Sequence, residues 1–189
     1  MLKSFLLCLS ILLSPALVAE ETNLPNPQVV IKTSDGDITL RLFHDKSPVT
    51  VDNFLSYVDS GYYNGTIFHR VISNFMIQGG GFLRDMSKKA SGDPIVNESK
   101  NRVPNLRGTI AMARTNDPDS ATSQFYINQR TNQALDWAPG HEGYTVFGEV
   151  TQGMDIVDFI ASAPTAKVGR MGDVPVKPIM IKEVVRVGL

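Results

Sequence analysis

The sequence predicts a mainly β fold, a closed eight-stranded antiparallel barrel capped by two α-helices. Three observations carry this. Eight short segments, at residues 29–33, 38–42, 66–72, 75–78, 109–113, 124–128, 146–150 and 179–187, are rich in β-branched, aromatic or alternating apolar residues. Only two stretches, after Ser47 and at residues 152–160, space their apolar residues as a helix does. Strands and helices do not alternate in the rhythm that a parallel sheet requires. Many short strands without that rhythm are best satisfied by an antiparallel barrel, which removes exposed sheet edges. No internal repeat is visible.

Taken in order, residues 1–19 read as a secretory signal peptide. Lys3 gives a positive start, residues 5–13 are apolar except Ser10, and Pro15, Ala16 and Ala19 form a small-residue exit. The apolar run is too short to span a bilayer core of about 30 Å. Cleavage is expected after Ala19, with Ala16 as the alternative and an uncleaved anchor as the rival reading. Residues 20–27, with two prolines and no periodicity, read as a flexible lead-in to a single domain at 28–189. Between the first two strands, Ser34, Asp35, Gly36 and Asp37 signal a hairpin, because Gly36 tolerates a positive φ. Ser47 and Pro48 then open a helix as N-cap and first-turn residue. Its stripe is Val51, Phe54, Leu55 and Val58, and Gly61 ends it. Residues 82–108 are polar and irregular, a loop long enough to be functional or mobile. In the second helix the apolar positions are Met154, Val157 and Ile160.

Composition removes several function classes. Without the first nineteen residues the chain keeps 17 basic and 19 acidic residues, a net charge of −2, so nothing favours nucleic acid or an anionic membrane. The only cysteine, Cys8, leaves with the leader, so disulfides cannot contribute. The remaining 170 residues suffice for one core. This points to one exported domain, periplasmic in a bacterium. His44 and His141 lack ligand spacing, and no metal or cofactor is expected. Gly79, Gly80 and Gly81 lack the Lys-Ser/Thr that completes a phosphate loop and read instead as close backbone packing or a bulge.

The chemistry concentrates at residues 68–80. Arg70, Phe75, Met76 and Gln78 place a fixed cation and an amide beside apolar surface. No nucleophile is paired with a base there. Such a site suits a reaction needing orientation and hydrogen bonding rather than bond breaking. Ideal strand alternation puts the adjacent Phe75 and Met76 on opposite faces, so the residues alone make one of them core. His69 should face away from Arg70 as a structural histidine.

With Phe68-His69-Arg70, Phe75-Met76-Ile77-Gln78-Gly79-Gly80, Arg107-Gly108-Thr109-Ile110-Ala111-Met112-Ala113, Ser123-Gln124-Phe125-Tyr126-Ile127 and Val146-Phe147-Gly148-Glu149 in this order, the chain resembles the cyclophilin-type peptidyl-prolyl cis/trans isomerases, in their bacterial exported branch. The resemblance covers nearly the whole mature chain. It implies that Arg70 is the catalytic arginine and that Phe75, Met76, Tyr126 and Leu135 wall a proline pocket. It implies that Gln78 and Gln124 hold substrate backbone, and that Ala113 and Arg114 pair with an extended substrate. Tyr144 stands where eukaryotic members have a pocket histidine. Ala134 stands where they have a rim tryptophan, which implies weak cyclosporin binding unless Trp137 takes that place.

The resemblance fits elementary amide chemistry. Rotation about a peptide bond faces a barrier of about 18–20 kcal/mol, because nitrogen shares its lone pair with the carbonyl. For Xaa-Pro bonds the isomers differ by only about 0.5–1 kcal/mol, so the reaction is slow rather than uphill. In the twisted transition state the prolyl nitrogen regains a lone pair. A donor such as Arg70 that strengthens its contact only then accelerates the rotation. The expected function is prolyl isomerisation during folding of exported proteins, acting as a monomer on extended or unfolded proline-containing chains, with no membrane association once the leader is removed. The alternative is a proline-binding or chaperone module with low turnover.

Overall fold

The computed structural model describes residues 26–188; the expected leader at 1–19 and most of the lead-in lie outside the described residues. Eight strands form one antiparallel sheet: β1 Gln28–Thr33, β2 Asp37–Leu42, β3 Thr66–Ile72, β4 Met76–Leu83, β5 Thr109–Met112, β6 Phe125–Asn128, β7 Val146–Gln152 and β10 Ile181–Arg186. Two helices, α1 Pro48–Asp59 and α2 Met154–Ala161, cap it. A separate two-stranded ribbon, β8 Thr165–Val168 and β9 Met171–Pro175, lies outside the main sheet.

The sheet order is β10-β1-β2-β7-β5-β6-β4-β3. Its two ends meet along a sparse seam. There Ile67 bridges Met180, while Gly65 N–H donates to Ile181 O at 2.9 Å and Phe68 N–H to Ile179 O at 3.0 Å. The sheet is therefore a nearly closed barrel, and the predicted fold class holds.

Alternation along the strands fills the barrel. Val29, Ile31, Ile38, Leu40, Ile77, Ile110, Phe125, Ile127 and Phe147 are buried in one core, and the predicted stripe of α1 packs into it. Phe54 stacks with Tyr63, Phe125 and Phe147 at centroid separations of 5.2–5.8 Å. Gly61, at φ 65, ends α1 as expected. The N–H groups of Gly61 and Tyr62 return to Val58 O and Tyr57 O, the paired bonds that satisfy helix-end carbonyls when a left-handed residue follows.

The start of α1 differs from expectation. Ser47 holds the N-cap position, but its hydroxyl donates to Val146 O at 2.9 Å rather than accepting from the helix. Glu98 supplies the cap from the long loop: its carboxylate accepts from Val49 N–H at 3.2 Å, Thr50 N–H at 2.8 Å and the Thr50 hydroxyl at 2.6 Å. A carboxylate suits this position because helix N-termini carry unpaired N–H groups and partial positive charge. The loop at 82–108 is thus pinned to the barrel. Asn101 Nδ2 donates to Ser47 Oγ at 2.7 Å, and Asn97 Nδ2 to Gly143 O at 3.0 Å.

Candidate active site

The site forms on the outer face of the barrel, where cross-strand register aligns its side chains. Arg70 on β3 pairs with Gln78 on β4, Gln78 with Tyr126 on β6, and Tyr126 with Ala111 on β5. Directly opposed residues project to the same side. One row of the sheet thereby carries the cation, the amide and the phenol ring. A second apolar cluster of Met76, Ala111, Tyr126 and Val146, with Phe75, Ala113, Leu135 and Tyr144 against it, packs on this face.

A cavity of about 120 Å³ opens here, lined by Arg70, Phe75, Met76, Gln78, Ala113, Arg114, Tyr126, Leu135 and Tyr144. The structure brings together all but one of the ten expected residues. Gln124 does not line the cavity. It lies beside Gln78, accepting from Gln78 Nε2 at 3.1 Å, while Arg70 Nη1 donates to Gln78 Oε1 at 3.4 Å. Gly81 makes room for this arrangement, since a Cβ there would stand 2.4 Å from Gln124 Cγ. The glycine run is thus close packing within β4, and the β3–β4 ladder is bulged at Phe68.

Phe75 and Met76 both face the cavity despite being adjacent. Strand β4 begins at Met76, and Phe75 belongs to the turn before it, behind Asn74 at φ 58. Strand alternation does not bind a turn residue, so the expected split between faces fails here.

The ring walls are fixed from outside the cavity. Tyr126 OH donates to Asn105 Oδ1 at 2.8 Å, which turns the hydroxyl away and offers the ring. Burial pushes the Tyr126 phenol well above its ordinary pKa, so it stays neutral. Asn105, fully buried, also accepts from Asn128 Nδ2 at 3.1 Å and donates to Asp136 Oδ1 at 3.0 Å. Nothing in the irregular 82–108 segment marked it as a support of the site. Tyr144 packs edge-on to Tyr126, with centroids 5.8 Å apart, and the Arg114 guanidinium lies 4.4 Å above its ring. Arg114 also donates to the carbonyls of Glu142 and Gly143, so this arginine holds the 142–144 turn as well as lining the cavity.

Trp137 does not replace the wall missing at Ala134. Its ring carries the Arg102 guanidinium at 4.9 Å and lines a different cleft with Val103, Pro104 and Pro139. Ala134 faces an open cleft on the far side of Phe75 and Leu135.

His69 is buried and packs on Phe82, with centroids 4.5 Å apart. Its Nδ1 makes no hydrogen bond within the protein. Burial, aided by the Arg70 charge and opposed by Ile67 and Gln124, lowers its pKa from 6.5 to about 4. It is neutral at pH 7. Because the folded pKa lies below the unfolded one, the stability it contributes is complete above pH 6.5 and is lost as pH falls toward 4. The expected loss between pH 7 and pH 5 is about 2 kcal/mol. Urea unfolding at both pH values checks this, and His69→Gln should remove that much of the pH dependence.

The site is thus a row of oriented polar groups beside a small cavity, with no metal-binding cluster among the described residues. The signature described as cyclophilin type peptidyl-prolyl cis-trans isomerase/CLD matches residues 28–186. The chain belongs to the cyclophilin family. Among its cyclophilin relatives, a peptidyl-prolyl cis-trans isomerase of Acinetobacter baylyi is 52% identical over 158 residues, 84% of each chain. The peptidyl-prolyl cis-trans isomerase B of Escherichia coli is 50% identical over 160 residues, 82% of this chain and 97% of that one. A solved cyclophilin type isomerase of Cryptosporidium parvum superposes with TM-score 0.73 at 28% identity, over 87% of this chain and 99% of that one. Family and relatives together identify this cyclophilin as a peptidyl-prolyl cis-trans isomerase.

Proposed function

We propose that this isomerase works on extended proline-containing segments of exported proteins, as a periplasmic monomer, with Arg70 as the catalytic donor. The observation that supports it most directly is the Arg70–Gln78 pair at the mouth of a cavity walled by Phe75, Met76, Tyr126 and Leu135. The prolyl ring enters the cavity, and the carbonyl of the preceding residue rotates. Arg70 meets the prolyl nitrogen once its lone pair is released, an interaction made in the transition state and not in either ground state. Gln78, steadied by Gln124, orients the flanking backbone. Ala113 and Arg114 run beside the extended chain.

No proton is transferred, and no cofactor enters. Uncatalysed isomerisation takes roughly 10–100 s, slow enough to limit folding. Among the described residues no helix is long and apolar enough to cross a membrane. The export reading rests on residues 1–19.

The activity is tested with a protease-coupled assay on an Ala-Ala-Pro-Phe peptide. A rate proportional to added protein is expected; a rate equal to the spontaneous one would leave only the binding-module reading. Titrating cyclosporin into the same assay should give weak inhibition, since Ala134 leaves one wall open. Nanomolar inhibition would refute that expectation. Export is tested by fractionating cells that express the full chain and sequencing the mature N-terminus, expected at Glu20. Full-length protein confined to the cytoplasm would overturn it.

A further inference from the structure

The β8–β9 ribbon stands apart from the barrel sheet, yet its second strand packs along β3, the strand that carries Arg70. At Asp173 the β9 backbone takes φ 58, in the left-handed region that residues other than glycine seldom occupy. Such conformations persist where the surroundings over-determine them, commonly next to functional groups. The Asp173 carboxylate faces the catalytic arginine: Oδ2 lies 3.9 Å from Arg70 Nε. On its other edge the same guanidinium donates from Nη1 to Gln78. Asp173 does not line the cavity, so it meets Arg70 without meeting a proline held there.

We propose that Asp173 is a positioning residue for Arg70. Its carboxylate holds the Nε edge of the guanidinium, so that the Nη edge stays directed toward Gln78 and the cavity. The proposal rests on the reading of Arg70 as the catalytic donor. Both side chains are nearly half exposed, at 41% for Arg70 and 48% for Asp173, and pairs of this kind contribute little to stability. Salt screens them. A role in positioning is therefore separable from a role in folding. A planar guanidinium has a defined orientation to lose, whereas the ammonium of a lysine does not.

The test uses the full chain and its Asp173→Asn, Arg70→Lys, Arg70→Ala and doubly substituted Asp173→Asn/Arg70→Lys variants. For Asp173→Asn, kcat is expected to fall about threefold to tenfold with KM and Tm unchanged, a modest rise in the barrier to rotation. Wild-type kcat should decline as ionic strength rises from about 0.01 M to about 1 M, over which the screening length shrinks from about 30 Å to about 3 Å. Asp173→Asn should be flat over that range. In the Arg70→Lys background, Asp173→Asn should cause no further loss. A kcat for Asp173→Asn at or above the wild-type value would overturn the proposal. So would an equal loss in the Arg70→Lys background, which would place Asp173 against the substrate instead. Full activity of Arg70→Ala would overturn the reading of Arg70 itself. A crippled Arg70→Ala beside an unchanged Asp173→Asn would remove the positioning role alone.

Discussion

Arg70→Ala should lower kcat/KM by about 10²–10³-fold, the usual consequence of removing one transition-state hydrogen-bond donor. The loss should fall on kcat and leave KM little changed, because the donor acts when the prolyl nitrogen pyramidalises. The cavity walls are independent of it, since Phe75, Met76, Tyr126 and Leu135 belong to their own apolar cluster. Arg70 is partly exposed, and its ion pair with Asp173 is long, so Tm should stay near the wild-type value. Line-shape NMR on a proline peptide separates the two quantities: binding shifts should survive while exchange broadening disappears. Equal turnover by the variant would sink the role given to Arg70.

Asn105→Ala should have the largest effect on stability among the residues around the site, about 3–5 kcal/mol. Asn105 Oδ1 is the acceptor for both the Tyr126 hydroxyl and Asn128 Nδ2, and all three side chains are buried. Its removal strands the buried Tyr126 hydroxyl and one proton of the Asn128 amide, whose other bond to Thr109 remains, at about 1–3 kcal/mol for each unsatisfied group, and leaves a small void. The Tyr126 ring then loses the tether that presents it to the cavity, so kcat/KM should fall as well. Tyr126→Phe provides the control, since it deletes one donor along with the need for its acceptor. It should cost far less stability and retain most activity. Urea unfolding of both variants is the measurement, and a Tyr126→Phe loss as large as that of Asn105→Ala would refute the tether.

The eight barrel strands were legible because burial on one side imposes alternation, as in residues 38–42. The α1 stripe was legible for the equivalent reason at helical spacing. Ribbon β8–β9 was not: Thr165, Ala166, Lys167 and Val168 are all exposed, so no buried face marks them in the sequence. Ser47 holds the N-cap position as expected, but the capping bonds come from Glu98, which is brought near only by tertiary folding. At the site, the composition of residues 68–80 suggested oriented hydrogen bonding, and the resemblance to cyclophilins supplied the remaining walls. Asn105 and Asp173 escaped notice because both act through another residue. A supporting contact has no spacing rule. Gln124 lies just outside the cavity, where it accepts a hydrogen bond from Gln78 in the space that Gly81 leaves.

The sparse seam between β3 and β10 bears on how this chain reaches its own native state. Joining residues 67 and 180 closes more than half of the described chain into a loop, and few backbone bonds repay that loss of freedom. Closure of the barrel is therefore expected late in folding, after the hairpins β1–β2 and β3–β4 have formed locally. The same line is where the native barrel opens at least cost. Arg70, the proposed catalytic donor, sits on the strand that borders it, so the seam that should be secured last lies beside the proposed site.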